Sequence, residues 1–470
     1  MARKKKNIVL PSVHITGIAD RGKGVGRTDD GLVVFVEGAV PGDVVDVFVQ
    51  KKKGGFAEGY TIEFRKMSPH RVEAFCQHFE VCGGCKWQNL DYQTQLAHKQ
   101  QVVEDSLRRI GKVEIGEFQP ILGAPETTYY RNKLEFAFAN RRWLTTAEMQ
   151  AGETNEANVL GFHKAGAFDK LIDIQHCWLQ ADPSNAIRNG IRDITFEQGL
   201  EFYDMRRHTG FLRNLVVRLT TTGELMLTVS VAQPDEEKIR AFLDAILARF
   251  TGQITTLVYC INQKLNDTMF DLPMHTYFGK GYVEEKLGDL RFKIGPKSFF
   301  QTNSRQGKNL YDLVVQFADF QGNENVYDLY TGTGSIALYV AKYCRQVVGI
   351  EEIPEAIADA EENMKLNNIA NTVFYAGDVK NVLSPAFAER HGKPDLVITD
   401  PPRAGMHEKA VQFLLELSAP RIVYVSCNPA TQARDLQLLS EKYDTVKARP
   451  VDMFPHTHHI ENVALLRLRD

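Results

Sequence analysis

The sequence predicts an α/β protein in three parts, and three observations carry that prediction. From about residue 281 the chain alternates short β-branched runs with helical stretches, as in "VYDLYTGTGSIALYVAKY", "QVVGIEEIPEAIADAEENMKLN", "TVFYAGDVKNV", "PDLVITDPPRAG" and "RIVYVSCNPAT", the texture of a doubly wound, Rossmann-like parallel sheet. Residues 9–67 instead carry short alternating runs broken by Gly-rich turns such as "DRGKGVGRTDDG", the pattern of a small β-barrel. Between 129 and about 280 lies α+β material with hairpin-like pairs, for example "NLVVRLTTTGELMLTVSVA".

At 470 residues the chain exceeds one ordinary core, so several domains are expected. An apolar content of 43% with 24% charged residues is that of a soluble globular protein. No stretch has the apolar length of a membrane span, and "MARKKKNIVLPS" lacks the apolar core of a signal peptide. A cytoplasmic monomer is the expectation. Seven cysteines, three of them crowded together, point to metal or catalytic duty in a reducing compartment rather than to disulfides. The net charge is only −3, but residues 1–70 hold twelve Lys/Arg against eight Asp/Glu, so the barrel is a candidate foot on RNA or DNA. Lys51–Lys53 with Arg21, Lys23 and Arg27 would line its loops, solvated turns being the plainer reading.

In order along the chain, "FCQHFEVCGGCKWQ" sets Cys76, Cys82 and Cys85 in a C-x5-C-x2-C array. Three thiolates this close call for a metal. Zinc usually pairs C-x2-C with a second pair, whereas three clustered cysteines with a distant fourth suit an iron–sulfur cluster. Cys177 is the best fourth ligand, because Cys260 and Cys344 lie inside apolar runs. A helix is expected over 91–113, ending near Gly111. In "NVYDLYTGTGSIAL" a strand ending at Asp328 runs into Gly332-Thr333-Gly334 and a helix; such a turn brings bare backbone and unpaired amides to a ligand. Glu351, about 20 residues on at the next strand tip, can accept both hydroxyls of a ribose. Asp378 ends the third strand, where an adenine would lie. "TDPPR", 399–403, looks like the Asp-Pro-Pro turn of S-adenosylmethionine-dependent methyltransferases that act on nucleobases. Finally, Pro429 stops the run Ile422–Val425 and leaves Cys427 at a strand tip, beside the ligand crevice of an open α/β sheet. A space-filling core cysteine is the alternative there.

Taken together, the basic barrel, C-x5-C-G-G-C, "SFFQTN", "DLYTGTGSIAL", "DPPRAG", "SCNP" and "HTHHIENV" occur in the order found in the RumA/TrmA family of RNA uracil-5-methyltransferases, which the chain resembles over nearly its whole length. The barrel resembles that family's TRAM domain, and the cysteine array resembles the RumA (RlmD-like) branch, which modifies 23S ribosomal RNA. The resemblance implies Cys427 as nucleophile toward uracil carbon 6 and Glu461 as the base that removes the carbon 5 proton. It further implies Gln301, Tyr330, Glu351 and Asp400 around S-adenosylmethionine, Asp378 near its adenine, and a [4Fe-4S] cluster on Cys76, Cys82, Cys85 and Cys177. Asp400 has the uracil edge as a second candidate partner. Phe299 and Phe300 are candidates to stack on RNA, core packing being the commoner fate of such aromatics. The implied domains are residues 1–70, an RNA-binding barrel; 71–90 with 114–280, a central iron–sulfur domain; and 91–113 with 281–470, the methyltransferase domain. The target expected is 23S ribosomal RNA, with tRNA as the alternative. Two rivals remain. Adenine or guanine amino-methyltransferases usually carry an aromatic residue where Arg403 follows Asp-Pro-Pro, and a non-catalytic iron–sulfur RNA-binding module would not need Cys427 and Glu461.

Overall fold

The computed structural model describes residues 8–19, 22–164 and 167–470. They form two compact units: one runs to Val102 and includes Phe454–His459, the other is Val103–Met453 with Ile460–Asp470. Among the described residues no helix is long and apolar enough to cross a membrane.

In the first unit, β1 (Ile8–Ile18), β2 (Gly24–Arg27), β3 (Val33–Glu37), β4 (Val44–Lys53) and β5 (Phe56–Lys66) close a barrel in the order β1-β2-β3-β5-β4. Every second residue points inward, giving a core of Val13, Ile15, Val34, Val36, Val45, Val47 and Ala57, as strand alternation requires. β2 lies inside the stretch read from sequence as a Gly-rich turn. Its glycines are there for close approach: a Cβ on Gly24 would sit 2.8 Å from the carbonyl oxygen of Ala39. The buried Asp43 carboxylate accepts from the amides of Val40 (2.7 Å) and Ser68 (2.9 Å) and from Arg71 (2.9 and 2.7 Å), tying the chain beyond β5 to the barrel. The cations expected on loops differ in placement. Lys51–Lys53 end β4, Lys23 pairs with Glu37 and Glu58, and Lys51 also meets Glu58. Arg21 lies outside the described residues.

After α1 (Tyr92–Asp105) and a π-helical turn at Ser106–Ile110 comes β6 (Ile115–Phe118). In the second unit, β7 (Lys133–Arg141), β8 (Glu156–His163), β9 (Leu171–Asp173), β10 (Leu212–Leu219), β11 (Leu225–Val231), β12 (Thr256–Ile261) and β13 (His275–Gly279) form a sheet ordered β13-β12-β11-β10-β7-β8-β9. The helices α2 (Thr146–Gln150), α3 (Ser184–Glu197) and α4 (Glu236–Arg249) belong to this α+β part, and a hairpin, β14 (Val283–Leu287) and β15 (Leu290–Ile294), follows it.

The remaining elements are α5 (Ser304–Ala318), β16 (Asn325–Leu329), α6 (Ser335–Val340), β17 (Gln346–Glu351), α7 (Pro354–Leu366), β18 (Thr372–Ala376), α8 (Val379–Val382), α9 (Pro385–His391), β19 (Leu396–Thr399), α10 (Glu408–Leu417), β20 (Arg421–Ser426), α11 (Pro429–Leu439), β21 (Tyr443–Val451) and β22 (Glu461–Leu468). Their sheet is ordered β18-β17-β16-β19-β20-β22-β21-β6. The five strands from β18 to β20 are parallel. β16 and β19 are buried throughout, which explains their unbroken apolar character. The chain leaves β16 toward β17 and β18, then resumes at β19 on the other side. That reversal opens the ligand crevice of a doubly wound sheet at the C-terminal ends of β16 and β19.

Candidate active site

At the end of β16 three residues within one short turn have left-handed backbone, Tyr330 (φ 63°), Gly332 (56°) and Gly334 (77°). A Cβ on Gly332 would meet nothing within 4 Å, so the turn offers bare backbone to open space. Gly334 is different: its Cβ would stand 2.9 Å from Ala360 Cβ and 3.0 Å from the Phe374 ring. Gly334→Ala therefore combines backbone strain with overpacking and is expected to cost about 2–4 kcal/mol of stability, read as a fall in the urea midpoint at unchanged slope. An unchanged midpoint would show that α6 is not pinned here. The two oxygens of Glu351 accept from the amides of Gly332 (3.0 Å) and Ile353 (3.1 Å). Each keeps a lone pair for a ribose hydroxyl. The amide of Gly377 donates to the Glu351 carbonyl at 2.7 Å, joining the tips of β17 and β18. Asp378 caps α8 through the Lys380 amide (3.1 Å) and pairs with the Lys380 ammonium (2.6 Å), whose hydrogen bond holds the carboxyl below its usual range.

Gln301 is buried in the segment before α5. Its carbonyl accepts from Asn132 Nδ2 (2.9 Å), its side chain hydrogen-bonds Tyr311, and the Tyr311 hydroxyl meets Ser335 Oγ at 2.8 Å. Thr333 Oγ1 donates to the Phe299 carbonyl (3.3 Å), so this segment and the glycine turn form one wall. Tyr330 is half-buried, with its phenol pushed up to about 12 mainly by burial. Of the two aromatic candidates for RNA stacking, Phe300 is core at 4% exposure and Phe299 is open at 67%.

The other wall is set by register. β20 and β22 pair antiparallel from Arg421 opposite Arg467 to Ser426 opposite Asn462. The register ends there: Cys427 directly follows the last paired residue of β20, Glu461 directly precedes Asn462 at the start of β22, and the Glu461 carboxyl acts on the Cys427 thiol, so the two groups share one neighbourhood. Cys427 is half-buried and Glu461 buried. Pro429 opens α11, and Asn428 caps it through the Ala430 amide (3.1 Å). The same Asn428 donates to the Arg403 carbonyl at 3.0 Å, and Thr431 Oγ1 adds a second bond there at 3.2 Å. The buried Asp435 of α11 accepts from Tyr424 (2.6 Å) and the Met406 amide (2.8 Å). The Asp-Pro-Pro loop is thus bolted to the helix that follows the thiol, and the Arg403 side chain hydrogen-bonds the Cys427 sulfur.

Negative charge is suppressed at the thiol end of this crevice and at its floor. Burial pushes the Cys427 thiol up to about 11; Glu461 and Asp400 add to the shift, and Arg403 opposes it. Burial holds the Glu461 carboxyl well above its ordinary value, Asp400 raising it further and Arg403 again opposing. Asp400, at the end of β19, rises to about 7 through burial and the neighbouring Asp328. Asp328 rises to about 7 through burial, against a hydrogen bond from Thr331 and with Glu351 adding to the shift. Several acids in one crevice stabilise a cation on one side and discourage two anions together on the other, with the Arg403 guanidinium beside the thiol. Arg403 and Tyr311 were not picked out from the sequence as site residues, and Asp328 was named only as the end of its strand. Asp328 and Tyr311 sit inside apolar runs, and Arg403 was visible only as the residue following Asp-Pro-Pro.

The predicted metal ligands fall in two different units. Cys76, Cys82 and Cys85 lie, partly exposed, in a segment of the first unit without regular secondary structure, where the Cys82 amide donates to the His78 carbonyl (2.8 Å) and the Gly84 amide to Cys82 Sγ (3.5 Å). Cys177 belongs to the other unit and is buried, with its amide on Asn185 Oδ1 (2.8 Å). Among the described residues no three His, Cys, Asp or Glu side chains converge tightly enough to hold a metal ion. The cluster therefore rests on the spacing of the three clustered cysteines and on the family resemblance. Cys260 and Cys344 are buried as expected.

Residues 273–469 match the family described as tRNA (uracil-5-)-methyltransferase, and residues 12–61 match the TRAM domain. The chain is 52% identical over 455 residues to an uncharacterized RNA methyltransferase of Bacteroides thetaiotaomicron, covering 96% of this chain and 100% of that one. It is 52% identical over 462 residues to another from Porphyromonas gingivalis, covering 97% and 99%. Among solved structures, the Pyrococcus abyssi tRNA (uracil-54, C5)-methyltransferase in complex with S-adenosyl-L-homocysteine superposes with a TM-score of 0.74 at 27% identity, over 97% of this chain and 100% of that one.

Proposed function

This chain belongs to the family of S-adenosylmethionine-dependent RNA uracil-5-methyltransferases, and on that premise we propose that it forms 5-methyluridine in 23S ribosomal RNA through a covalent bond from Cys427 to uracil carbon 6. The observation that carries this reading is a half-buried thiol just beyond the end of β20, with the buried Glu461 carboxyl acting on it and Arg403 on the sulfur. Carbon 5 of uracil is too poor a nucleophile to take a methyl group unaided. Addition of the Cys427 thiolate to carbon 6 moves the electron pair onto the ring as an enolate and makes carbon 5 nucleophilic. S-adenosylmethionine, when bound, supplies the methyl group as a sulfonium. Gly332, Glu351 and Asp378 hold its adenosine end, Tyr330 and Gln301 complete the pocket, and Asp400 offers negative charge toward the sulfonium, with the uracil edge as its second candidate partner. Glu461 then takes the proton from carbon 5, the carbon 6–sulfur bond breaks, and the electron pair returns to Cys427.

The suppressed charges order these events. A thiolate forms most easily while Glu461 is neutral; once sulfur is bonded and the enolate is spent, the nearby anion is gone and Glu461 can ionise and act as base. The sign of the pH dependence follows. A thiol raised to about 11 is mostly protonated at neutrality, so kcat/KM is expected to climb with pH between 7 and 9. Arg403→Gln removes the group that favours the thiolate, and a roughly ten-fold lower kcat/KM at pH 7.5 with the rising limb displaced to higher pH is expected. Equal rates and an unmoved limb would remove Arg403 from the chemistry.

The experiment that tests the function is mass-spectrometric mapping of 5-methyluridine in ribosomal RNA and tRNA from cells with and without the protein. Loss of a 23S site supports the first reading. Loss only in tRNA supports the second, favoured by the tRNA enzyme from Pyrococcus abyssi; no lost site in either refutes uracil methylation. The [4Fe-4S] cluster on Cys76, Cys82, Cys85 and Cys177 is part of the proposal, and iron and sulfide analysis of anaerobically purified protein tests it. Colourless, zinc-loaded protein would reverse the assignment.

A further inference from the structure

The α+β part of the second unit carries a cleft of about 470 Å³ that takes no part in the chemistry above. The ends of β7 and β8, the end of α3 and the turn at Asp204–Arg207 enclose it. Phe196, the penultimate residue of α3, is 53% exposed on its rim. Its ring stacks on the buried Phe202 (centroids 5.8 Å apart, 27° between planes), and Phe202 in turn meets the buried Phe138 edge-on at 5.3 Å. One face of Phe196 is thus backed by the core. The other is available at the cleft.

The cations of the cleft differ from their neighbours. Arg142, Arg192 and Arg206 are each paired with a carboxylate. Arg141 and Arg207, which line the cleft, have no carboxylate within ion-pair distance among the described residues, and Arg141 Nε is buried without a hydrogen-bond partner. Two acids are also present. Asp204 is engaged: it accepts from Asn140 Nδ2 (3.0 Å) and from the amides of Arg206 and Arg207 (both 2.9 Å), and it is held down at about 2. Glu156 stands opposite Arg141 in the β7–β8 register. The charges balance, which argues against a track for a run of phosphates. A propped aromatic face, two unpaired guanidiniums and the amide of Asn158 instead match one nucleotide, with its base stacked, its edge hydrogen-bonded and its phosphate between the arginines.

We propose that this cleft binds a single unstacked nucleotide of the RNA substrate, separate from the uracil that reaches Cys427. The proposal rests on the reading of the chain as an RNA-modifying enzyme. Its test is steady-state methyl transfer to RNA extracted from cells lacking the protein, comparing wild type with Phe196→Ala and with the Arg141→Ala/Arg207→Ala pair. The expected result is an RNA KM raised about ten-fold in each, with kcat, the KM for S-adenosylmethionine and the urea midpoint unchanged. Because a strand carries one phosphate here, the arginine pair should lower the salt slope of RNA binding by no more than about one. An RNA KM unaltered in both variants overturns the proposal. Cross-linking of 4-thiouridine-substituted RNA, mapped by mass spectrometry, separates this from a failure of the functional reading: adducts in 192–208 that Phe196→Ala abolishes support the cleft even if no uracil is methylated, and their absence counts against it. Competition of the cross-link by millimolar AMP or UMP would assign the cleft to a free mononucleotide and overturn its assignment to RNA.

Discussion

Cys427→Ala is expected to abolish 5-methyluridine formation, with a loss on the order of 10⁵ in turnover, because nothing else at the tip of β20 can add to carbon 6 and the methyl acceptor is otherwise inert. The substitution leaves the fold intact: the side chain is half-buried, and loss of one sulfur there costs about 1 kcal/mol. RNA carrying 5-fluorouridine makes the test sharper. Fluorine at carbon 5 cannot be removed as a proton, so methyl transfer proceeds and the sulfur–carbon bond is then trapped. Wild type should give a slowly migrating protein–RNA band in denaturing gels, and Cys427→Ala none. Cys427→Ser retains an oxygen but not a thiolate, and should behave like alanine. A band that survives in Cys427→Ala would place the nucleophile elsewhere; turnover that survives would remove covalent catalysis altogether.

How far such a site can be read from the sequence depends on how local its causes are. The strands of the parallel sheet, the glycine turn and the acids at strand tips were legible because each is written in a run of under about fifteen residues: apolar β-branched stretches, Gly332 to Gly334, and Glu351 at the end of "VVGIE". The barrel was legible by alternation, except β2, whose glycines look like a turn until the carbonyl of Ala39 is seen pressed against Gly24. What could not be read was non-local. The five parallel strands were expected, but the antiparallel extension by β22 and β21, and the return of β6 from residues 115–118 to pair with β21, depend on pairings between distant segments that no window of sequence contains. That extension matters most, since the β20–β22 pairing brings the residue after Ser426 and the residue before Asn462, Cys427 and Glu461, to the same end of the sheet. Burial-driven shifts were equally invisible: Asp328 and Asp400 are ordinary acids in the sequence, and it is burial at the ends of β16 and β19, with a neighbouring carboxylate in each case, that raises both to about 7. For the cysteine array the balance is reversed, since its spacing is explicit while among the described residues no three His, Cys, Asp or Glu side chains form a metal site.

Glu461→Gln is the complementary experiment and should fail at the opposite end of the reaction. Glutamine keeps the volume and a hydrogen-bonding oxygen in a buried position, and it cannot accept the carbon 5 proton. Addition of Cys427 and transfer of the methyl group are then preserved, while elimination stalls. A single turnover should give methylated RNA still bonded to the protein, visible as a denaturation-resistant band on ordinary, non-fluorinated RNA, with multiple-turnover kcat reduced by about 10²–10⁴. Burial and Asp400 hold this carboxyl well above its ordinary value, and Glu461 is one of the charges that raise the Cys427 thiol, so its neutral amide replacement should leave the thiol no harder to ionise and adduct formation no slower. Loss of adduct formation together with turnover would instead make Glu461 a partner in generating the thiolate. Normal turnover would transfer the proton-accepting role to another group in the crevice, for which Asp400 is the nearest candidate on charge, being the first acid coupled to Glu461.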